Sequence, residues 1–98
     1  MSVEFIEPAA IELDDAIEYY NVQAEGLGDK FLDEVLRTIE LISLFPQAFT
    51  EGTKHTRKAL LRKFPYYLIY TSMKEKLYII AVAHNNREPE YWIDRIVK

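Results

Sequence analysis

Two stretches in the first half of the chain each gather their apolar residues on one side of a helix. The first runs from about Ala9 to about Ala24, and its stripe is Leu13, Ala16, Ile17, Tyr20 and Ala24, opposite Glu12, Asp14, Asp15 and Glu18. The second runs from about Gly28 to Leu44, and its stripe is Phe31, Val35, Ile39 and Ile42. The segment EGLGD between them interrupts the period, and its two glycines predict a turn. Two antiparallel helices cannot bury both stripes against each other alone, so the pattern requires a sheet beneath them.

Three strand-like runs in the second half supply that sheet. They are HTRKALLRKF, YYLIYTS and KLYIIAVAH, and the last is nearly apolar over residues 77–83, which is typical of a strand that is covered on both faces or lies centrally in the sheet. A short strand, SVEFIE, precedes the helices, and Pro8 is suited to the first turn of the helix that follows. The predicted fold is α+β. It has an N-terminal strand, a two-helix antiparallel hairpin packed on an antiparallel β-sheet in the order β-α-α-β-β-β, and a short C-terminal helix.

The composition bounds the architecture and the compartment. A chain of 98 residues has room for one domain, which we place at residues 1–98, and a hydrophobic content of 49% is sufficient for its core. The sequence has no cysteine, which excludes disulfides, thiolate catalysis and cysteine-bound zinc and fits a reducing compartment. It has no apolar run of about 18 residues, and MSVEFIEPAA lacks the basic segment followed by an apolar one that is typical of a secretory signal, so we expect a cytoplasmic protein without a membrane partner.

The net charge of −4 hides an uneven distribution along the chain. Residues 1–53 hold twelve acidic and two basic side chains, a charge of −10, and residues 54–98 hold four acidic and ten basic side chains, a charge of +6. One interpretation is that the cations form a single face that binds an anion or an acidic partner. The other is that the two halves attract each other within the fold.

The most basic segment is also a predicted strand. KHTRKALLRK, Lys54 to Lys63, carries five of the twelve lysines and arginines and one of the two histidines. Strand alternation mixes charged and apolar residues on both of its faces, which favours an edge strand over a central one. Two roles are open for its cations. They protect the edge against aggregation, or they bind a phosphate or carboxylate through the arginine fork.

The stretch AHNNREPEYWIDR follows the most apolar strand directly. His84 therefore lies where the strand gives way to a loop, and functional groups collect on loops that a rigid sheet supports. An imidazole there can act as an acid or a base near neutral pH, although a lone histidine is more often a hydrogen-bonded strand-end residue. Pro89 is suited to the first turn of the short C-terminal helix. We expect Trp92 to pack in the core and Arg95 to pair with the acidic first half.

The sequence shows no motif for a metal or a cofactor. His55 and His84, the two histidines, lack a third ligand at a recognised spacing. There is no glycine-rich phosphate loop and no G-x-S-x-G nucleophile elbow. We therefore expect no metal site and no cofactor. The residues by themselves predict a small α+β domain with a basic sheet region, and they do not predict its function.

The order of these segments resembles a known family. The matching pieces are A-x-x-x-L-D-D-A-I-E-Y-Y, L-I-S-L-F-P, R-K-A-L-L-R-K-F-P-Y-Y-L-I-Y and I-I-A-V-A-H-N-N-R-E-P-E-Y-W. They are similar to the ParE/RelE superfamily of bacterial toxins from type II toxin–antitoxin modules, also called plasmid stabilisation proteins, over about residues 3–95. The most specific pieces are Phe64-Pro65-Tyr66 leading to Tyr70, and His84 with Arg87, Pro89 and Trp92.

The resemblance implies the fold already predicted, and a cognate antitoxin encoded nearby whose C-terminal segment wraps and neutralises the toxin. It also implies one of two targets, since RelE-like members cleave messenger RNA in the ribosomal A site and ParE-like members poison DNA gyrase. RNA cleavage needs a base, an acid and cations over the phosphate, and ribosome docking favours strong positive charge. The sequence pI of about 5.1 and the R-E-P-E-Y-W turn after His84 favour the ParE-like branch.

The leading hypothesis is therefore a toxin that binds and poisons DNA gyrase and is neutralised by an antitoxin. Candidate residues for binding the target or the antitoxin are Arg57, Arg62, His84, Arg87, Tyr91, Trp92 and Arg95. One alternative is a ribosome-dependent messenger RNA endoribonuclease, in which Arg62 or Arg87 stabilises the phosphate and His84 transfers the proton. Another is a degenerate, non-toxic member that binds only its antitoxin or itself. A homodimer and a toxin–antitoxin hetero-oligomer are both open.

Overall fold

The computed structural model describes residues 2–96, so both ends of the predicted domain lie outside the described residues. Its strands are β1 (Ser2–Phe5), β2 (Thr50–Glu51), β3 (Arg57–Leu60), β4 (Tyr66–Met73) and β5 (Lys76–His84). Its helices are α1 (Glu7–Gln23) and α2 (Leu27–Leu44), and two short 3₁₀ turns cover Thr53–His55 and Ile93–Arg95. Within residues 2–96 no helix combines the length and the apolar character of a membrane span.

The five strands form one mixed sheet in the order β1-β5-β4-β3-β2. The predicted antiparallel meander is β3, β4 and β5, and β1 joins it by pairing in parallel with β5. β1 reaches only as far as Ile79 of β5, so the edge of β5 from Ile80 to His84 extends beyond it. The pairing with β4 also shifts register there, because Ile69 faces Ala81 whereas Tyr70 faces Ile79. One end of β5 is therefore left without a neighbouring strand on one side.

Each face of the sheet has its own apolar core. The core beneath the helices includes the buried residues Phe31, Val35, Ile42, Leu68, Tyr70, Leu77 and Ile79. The opposite face is covered by the chain that follows β5, and its core is Tyr67, Ile69, Ile80, Ala81, Ala83 and Trp92. β5 contributes side chains to both cores, which confirms that it is buried on both faces. The side chain of Trp92 is 4% exposed, so its predicted packing role is also confirmed.

An aromatic cluster joins the helical hairpin to the sheet. The ring of Phe31 lies 5.4 Å from Tyr20, 5.2 Å from Phe64 and 4.9 Å from Tyr66 between centroids. The rings of Phe64 and Tyr66 meet Phe31 edge-to-face, and such contacts stabilise the fold beyond the area that they bury. The helices themselves approach closely at Gly28, where a Cβ atom would collide with the backbone oxygen of Ile17. The two helices match the predicted boundaries to within two residues.

The predicted strand over HTRKALLRKF is shorter than expected and is preceded by the unpredicted β2. It ends at Leu60, and residues 61–65 form a loop to β4, which we call the β3–β4 loop. The buried carboxylate of Glu34 on α2 accepts hydrogen bonds from the backbone N–H groups of Arg62 and Lys63. Because a side chain of α2, and not a neighbouring strand, accepts these two N–H groups, the hydrogen-bond ladder of β3 does not continue into residues 62 and 63. β2 covers only Arg57 and Lys58, so the rest of β3 lies at an edge as predicted.

The predicted C-terminal helix is reduced to a single 3₁₀ turn, Ile93–Arg95. Glu90 has a φ of 60°, in the left-handed region, so the chain cannot form a helix that starts at Pro89 and runs through it. Tyr91, Trp92 and Ile93 instead pack onto the sheet face beside Ile80 and Ala83. Burial of these side chains against the sheet decides the path of the chain here, and the local preference of Pro89 does not.

The aromatic cluster gives a test of the fold. Phe31→Ala should lower the free energy of unfolding by about 3–5 kcal/mol, because it leaves a cavity among three other rings. Leu36→Ala, on the same helix but 51% exposed, should change it by no more than about 0.5 kcal/mol. Urea denaturation of both variants measures the difference, and equal losses would contradict the assigned packing of α2.

Candidate functional site

The carboxylate of Glu12, on α1, accepts hydrogen bonds from three distant parts of the chain. The backbone N–H of Val82 donates to Oε1 at 3.0 Å, and the Tyr91 hydroxyl donates to Oε2 at 2.7 Å. Arg95 forms a fork, with Nη1 2.9 Å from Oε1 and Nη2 2.8 Å from Oε2. The Arg95 and Glu12 side chains are only 19% and 16% exposed. Bidentate pairs of this kind are among the stronger hydrogen-bonded contacts. We call Glu12, Tyr91 and Arg95 the Glu12 cluster.

The Glu12 cluster lies along the part of β5 that β1 leaves uncovered. The last backbone contact on this side before the gap is the Ile6 N–H, which donates to the Ile79 carbonyl at 3.1 Å. Beyond it, the Val82 N–H donates to Glu12, and the Ile80 carbonyl accepts from Arg95 Nη1 at 3.0 Å. Unpaired groups at a sheet edge are costly when buried and invite pairing with another chain when exposed. The two side chains therefore replace a missing strand.

The ionisation states of the Glu12 cluster support one another. Burial raises the pKa of the Glu12 carboxyl group, but the hydrogen bonds from Arg95, Tyr91 and Val82 outweigh burial, so its pKa lies below the usual 4.5. The hydrogen bond from Arg95 to Glu12 raises the pKa of the guanidinium. Burial, followed by the hydrogen bond to Glu12, raises the pKa of the Tyr91 phenol. At neutral pH the cluster is therefore a carboxylate, a phenol and a guanidinium.

A second guanidinium, that of Arg87, lies over the ring of Tyr91. The Cζ atom of Arg87 is 3.8 Å from the ring centroid, and that of Arg95 is 5.1 Å from it. Arginine stacks on aromatic faces by cation–π attraction and by contact between the two planes. Arg95 is bound to Glu12, whereas Arg87 is exposed and has no ion pair to any residue of the described range. Tyr91 thus orients Arg87 without occupying its N–H donors.

A cavity of about 280 Å³ opens beside this stack, between α1 and the end of β5. Its lining is Glu12, Asp15, Ala16, Tyr19, Tyr66, Val82, His84 and Arg87, and we call it the His84 cavity. His84 is the last residue of β5, as predicted, and its Nδ1 accepts the N–H of Asn86 at 3.0 Å. Its ring meets Tyr66 edge-on, with 5.2 Å between centroids. The lining therefore combines one imidazole and one guanidinium with two carboxylates and two phenol rings.

The structure brings together four of the seven predicted site residues. His84, Arg87, Tyr91 and Arg95 belong to the Glu12 cluster or to the cavity beside it. Trp92 is buried in the core behind them. Arg62 is exposed on the β3–β4 loop and does not line the His84 cavity. Arg57 of β3 lies opposite Tyr70, which is four residues along β4 from Tyr66 of the cavity lining. The Nη1 of Arg57 donates to the Phe49 carbonyl at 2.7 Å.

Three cations of the basic half are bound to carboxylates within the fold, so they do not belong to a free cationic face. The three ion pairs found in residues 2–96 are Arg57–Glu51, Lys76–Glu4 and Arg95–Glu12. Each joins a cation of the basic half to a carboxylate of the acidic half. Lys58 lies over the ring of Tyr67, 4.4 Å from its centroid. The second interpretation of the charge asymmetry, attraction within the fold, accounts for these contacts, and the predicted pairing of Arg95 with the acidic half is confirmed.

Sequence reasoning missed Glu12, which it placed on the solvent face of α1. A signal was present, because Glu12 follows the buried Ala9 by three residues and precedes the buried Ala16 by four. Those spacings put it at the border of the buried stripe. Glu34 was missed for a similar reason, since it lies between Phe31 and Val35. Across the described part of the chain, no three acidic or histidine side chains are grouped to hold a metal ion.

Comparisons with known proteins place this architecture among the toxins of toxin–antitoxin modules. The family model described as ParE toxin of type II toxin-antitoxin system, parDE, matches residues 3–89. The chain is 32% identical over 83 residues to Toxin ParE2 of Mycobacterium tuberculosis strains CDC 1551 and H37Rv, covering 78% of this chain and 76% of the relative.

Solved structures share the fold at lower identity. A chain of the chromosomal ParDE TA system from P. aeruginosa superposes with a TM-score of 0.74 at 16% identity, over 86% of this chain and 95% of that one. The isolated E. coli RelE toxin superposes with a TM-score of 0.66 at 20% identity, over 98% of both chains. Both structures support the fold, and neither of them assigns a target.

Removal of the Glu12 carboxylate should destabilise the fold. Glu12→Ala leaves the Arg95 guanidinium and the Val82 N–H without their acceptor, so it should lower the free energy of unfolding by about 2–4 kcal/mol. Asp15→Ala is the matched control, because Asp15 is exposed on the same helix and should matter by about 0.5 kcal/mol or less. Urea denaturation at neutral pH compares them. Similar losses for both variants would mean that the Glu12 cluster does not stabilise the fold.

The lowered pKa of Glu12 predicts a pH dependence. The folded-state pKa of Glu12 lies below the usual 4.5. Its contribution to the free energy of unfolding is therefore complete above pH 4.5 and is lost as the pH falls through the lowered folded-state pKa. The difference in unfolding free energy between the native chain and Glu12→Gln should therefore be large at pH 7 and shrink below pH 4.5. The pair Asp15 and Asp15→Asn serves as the control and should show a small difference throughout. A difference in unfolding free energy between the native chain and Glu12→Gln that does not change with pH would contradict the lowered pKa of Glu12.

Proposed function

The chain belongs to the ParE toxin family of type II toxin–antitoxin systems, and from this premise we propose that it poisons DNA gyrase by binding it. As the toxin component of such a module, it has a cognate antitoxin as its partner. In this proposal the antitoxin holds the toxin inactive, and the toxin itself catalyses no reaction. The relatives named ParE support this branch through the family match and through the identity of 32%.

The observation that carries the proposal is the chemistry of the His84 cavity. Cleavage of RNA develops negative charge on a phosphate, which requires cations around the reacting group. The cavity holds His84 and Arg87, but it also holds the carboxylates of Glu12 and Asp15. The carboxylate of Glu12 is paired with Arg95, whereas that of Asp15 is exposed and opposes the approach of a phosphate. Arg62, the other cation of the cleavage hypothesis, does not line the cavity. This lining supports binding of a protein over cleavage of RNA.

The overall charge supports the same choice. Ribosomal RNA is bound mainly through phosphates, and its affinity depends on how many cations neutralise them. This chain has a net charge of −4, and three of its cations are paired with carboxylates of the chain itself. A protein target such as gyrase does not require such an excess of positive charge. The net negative charge therefore favours a protein target.

Two observations keep the RelE-like alternative worth testing. The fold superposes on the RelE toxin over almost the entire chain, and His84 and Arg87 share one cavity. In that alternative His84 transfers the proton and Arg87 or Arg62 binds the phosphate. The third candidate, a non-toxic member that binds only its antitoxin or itself, has the same fold and partner but should not impair growth.

A supercoiling assay tests the proposal. Purified toxin added to DNA gyrase, relaxed plasmid and ATP should inhibit supercoiling and accumulate cleaved plasmid, and equimolar antitoxin should restore the activity. The same toxin added to translating ribosomes should leave the messenger RNA intact. Plasmid incubated with the toxin but without gyrase serves as the control and should remain uncut.

The opposite results separate the alternatives. Codon-specific cleavage on ribosomes with full gyrase activity would reverse the choice of target, and loss of that cleavage in the double variant His84→Ala, Arg87→Ala would then support the catalytic assignment. No effect in either assay, with normal growth of a bacterial host at confirmed expression, would identify a non-toxic member.

A further inference from the structure

Arg87 is an exposed cation whose position is fixed before any partner arrives. Its guanidinium stacks on Tyr91, and the Tyr91 hydroxyl donates to Glu12, which is in turn bound by Arg95 and by the backbone of β5. Its backbone is also fixed, because the Arg87 N–H donates to the carbonyl of His84 at 3.0 Å. A side chain that is already ordered loses less conformational entropy on binding. The stack uses the face of the guanidinium and leaves its edge, with the N–H donors, available.

The neighbourhood of Arg87 selects the class of anion. Of the charged groups that line the His84 cavity, Glu12 is already bound by Arg95, which leaves Arg87 and Asp15 as the exposed charges. A single exposed guanidinium binds a nucleic acid or a polyphosphate poorly, because the affinity for such a ligand depends on several cations acting together. One guanidinium fork matches one carboxylate, which is planar and carries a single charge. The geometry therefore fits an acidic side chain of a protein.

The remaining walls of the cavity fit an apolar neighbour of that acid. Ala16, Val82 and the rings of Tyr19 and Tyr66 line it. Tyr19 is 56% exposed on α1 and forms an accessible wall of the cavity. An acidic residue that binds Arg87 places the next side chains of its own segment close to these walls. The His84 cavity and Arg87 together are therefore suited to bind a short segment that carries one acidic and one apolar side chain.

We propose that Arg87 binds a carboxylate of the antitoxin, that Tyr91 is the positioning residue for Arg87, and that the His84 cavity receives an apolar side chain next to that carboxylate. The antitoxin is chosen as the partner because it follows from the family to which the chain belongs. The inference rests on the proposed function only in having an antitoxin as partner, and it does not depend on gyrase as the target.

Affinity measurements on variants of the full-length toxin test the assignment. The probe is the purified antitoxin encoded beside the toxin gene, titrated by calorimetry. Arg87→Ala should weaken binding by about 10- to 100-fold, since it removes a charge-assisted bidentate contact. The affinity of Arg87→Lys should lie between that of the native toxin and that of Arg87→Ala, because lysine keeps the charge but loses the planar fork. Arg37→Ala, which removes an exposed arginine on α2, is the matched control and should change affinity less than about twofold.

Two variants of Tyr91 separate positioning from simple stability. Tyr91→Phe keeps the stacking ring and loses the hydrogen bond to Glu12, so it should lower the melting temperature while affinity stays within about threefold of the native value. Tyr91→Leu loses the stacking ring, so it should weaken binding about as much as Arg87→Ala. If the two variants lose the same affinity, or if affinity simply follows melting temperature, Tyr91 does not act by positioning Arg87.

A double-mutant cycle identifies the carboxylate. Each acidic residue of the antitoxin is changed to its amide and combined with Arg87→Ala, and one position should show non-additive losses. The proposal is overturned if no position couples, or if Arg87→Ala binds the antitoxin normally but no longer inhibits gyrase. The second result would leave the proposed function intact. Conversely, a native toxin that spares gyrase but loses antitoxin binding on Arg87→Ala would reject the proposed function and retain this inference.

Discussion

The rest of the structure depends on one carboxylate, that of Glu12. It binds groups 70, 79 and 83 residues further along the chain, and so joins the first helix to the central strand and to the C-terminal segment. The Glu12 carboxylate is needed because β1 ends opposite Ile79 of β5 and leaves the rest of β5 without a neighbouring strand on that side. An acceptor for Val82 and a donor for Ile80 are both required there, and a glutamate paired with an arginine supplies one of each.

This arrangement connects the stability of the fold to the proposed recognition surface. A partly buried ion pair is weak evidence for stability, because desolvation opposes the attraction, but it specifies one geometry when every donor and acceptor is used. Here the specified geometry is that of Tyr91, whose hydroxyl is bound to Glu12 and whose ring supports Arg87. The edge that has to be closed and the cation that has to be presented are therefore served by the same residues. Loss of the Tyr91 ring should therefore affect both the stability of the fold and the position of Arg87, whereas loss of its hydroxyl alone should affect mainly the stability.

The parts of the fold that sequence could predict are those governed by local periodicity. The stripe through Phe31, Val35 and Ile39 gave the second helix, and the apolar run at residues 77–83 gave a strand buried on both faces. Positions fixed by distant partners were not accessible in this way. Glu12 and Glu34 border buried stripes, and no helical pattern tells which backbone N–H group a carboxylate will meet. Likewise, the loop after Leu60 and the loss of the helix after Pro89 follow from contacts with α2 and with the sheet.

The charge asymmetry of the sequence has a meaning different from the one that its totals suggest. Part of the excess of cations in the second half is used within the fold, since Arg57, Lys76 and Arg95 each bind a carboxylate of the first half. Binding to a polyanion depends on the number of available cations, and that number is reduced by such pairs. Recognition of a protein depends instead on a few well-ordered contacts in a shaped pocket. One oriented arginine beside a partly apolar cavity meets the second requirement and not the first, so the electrostatics of this toxin favour protein partners.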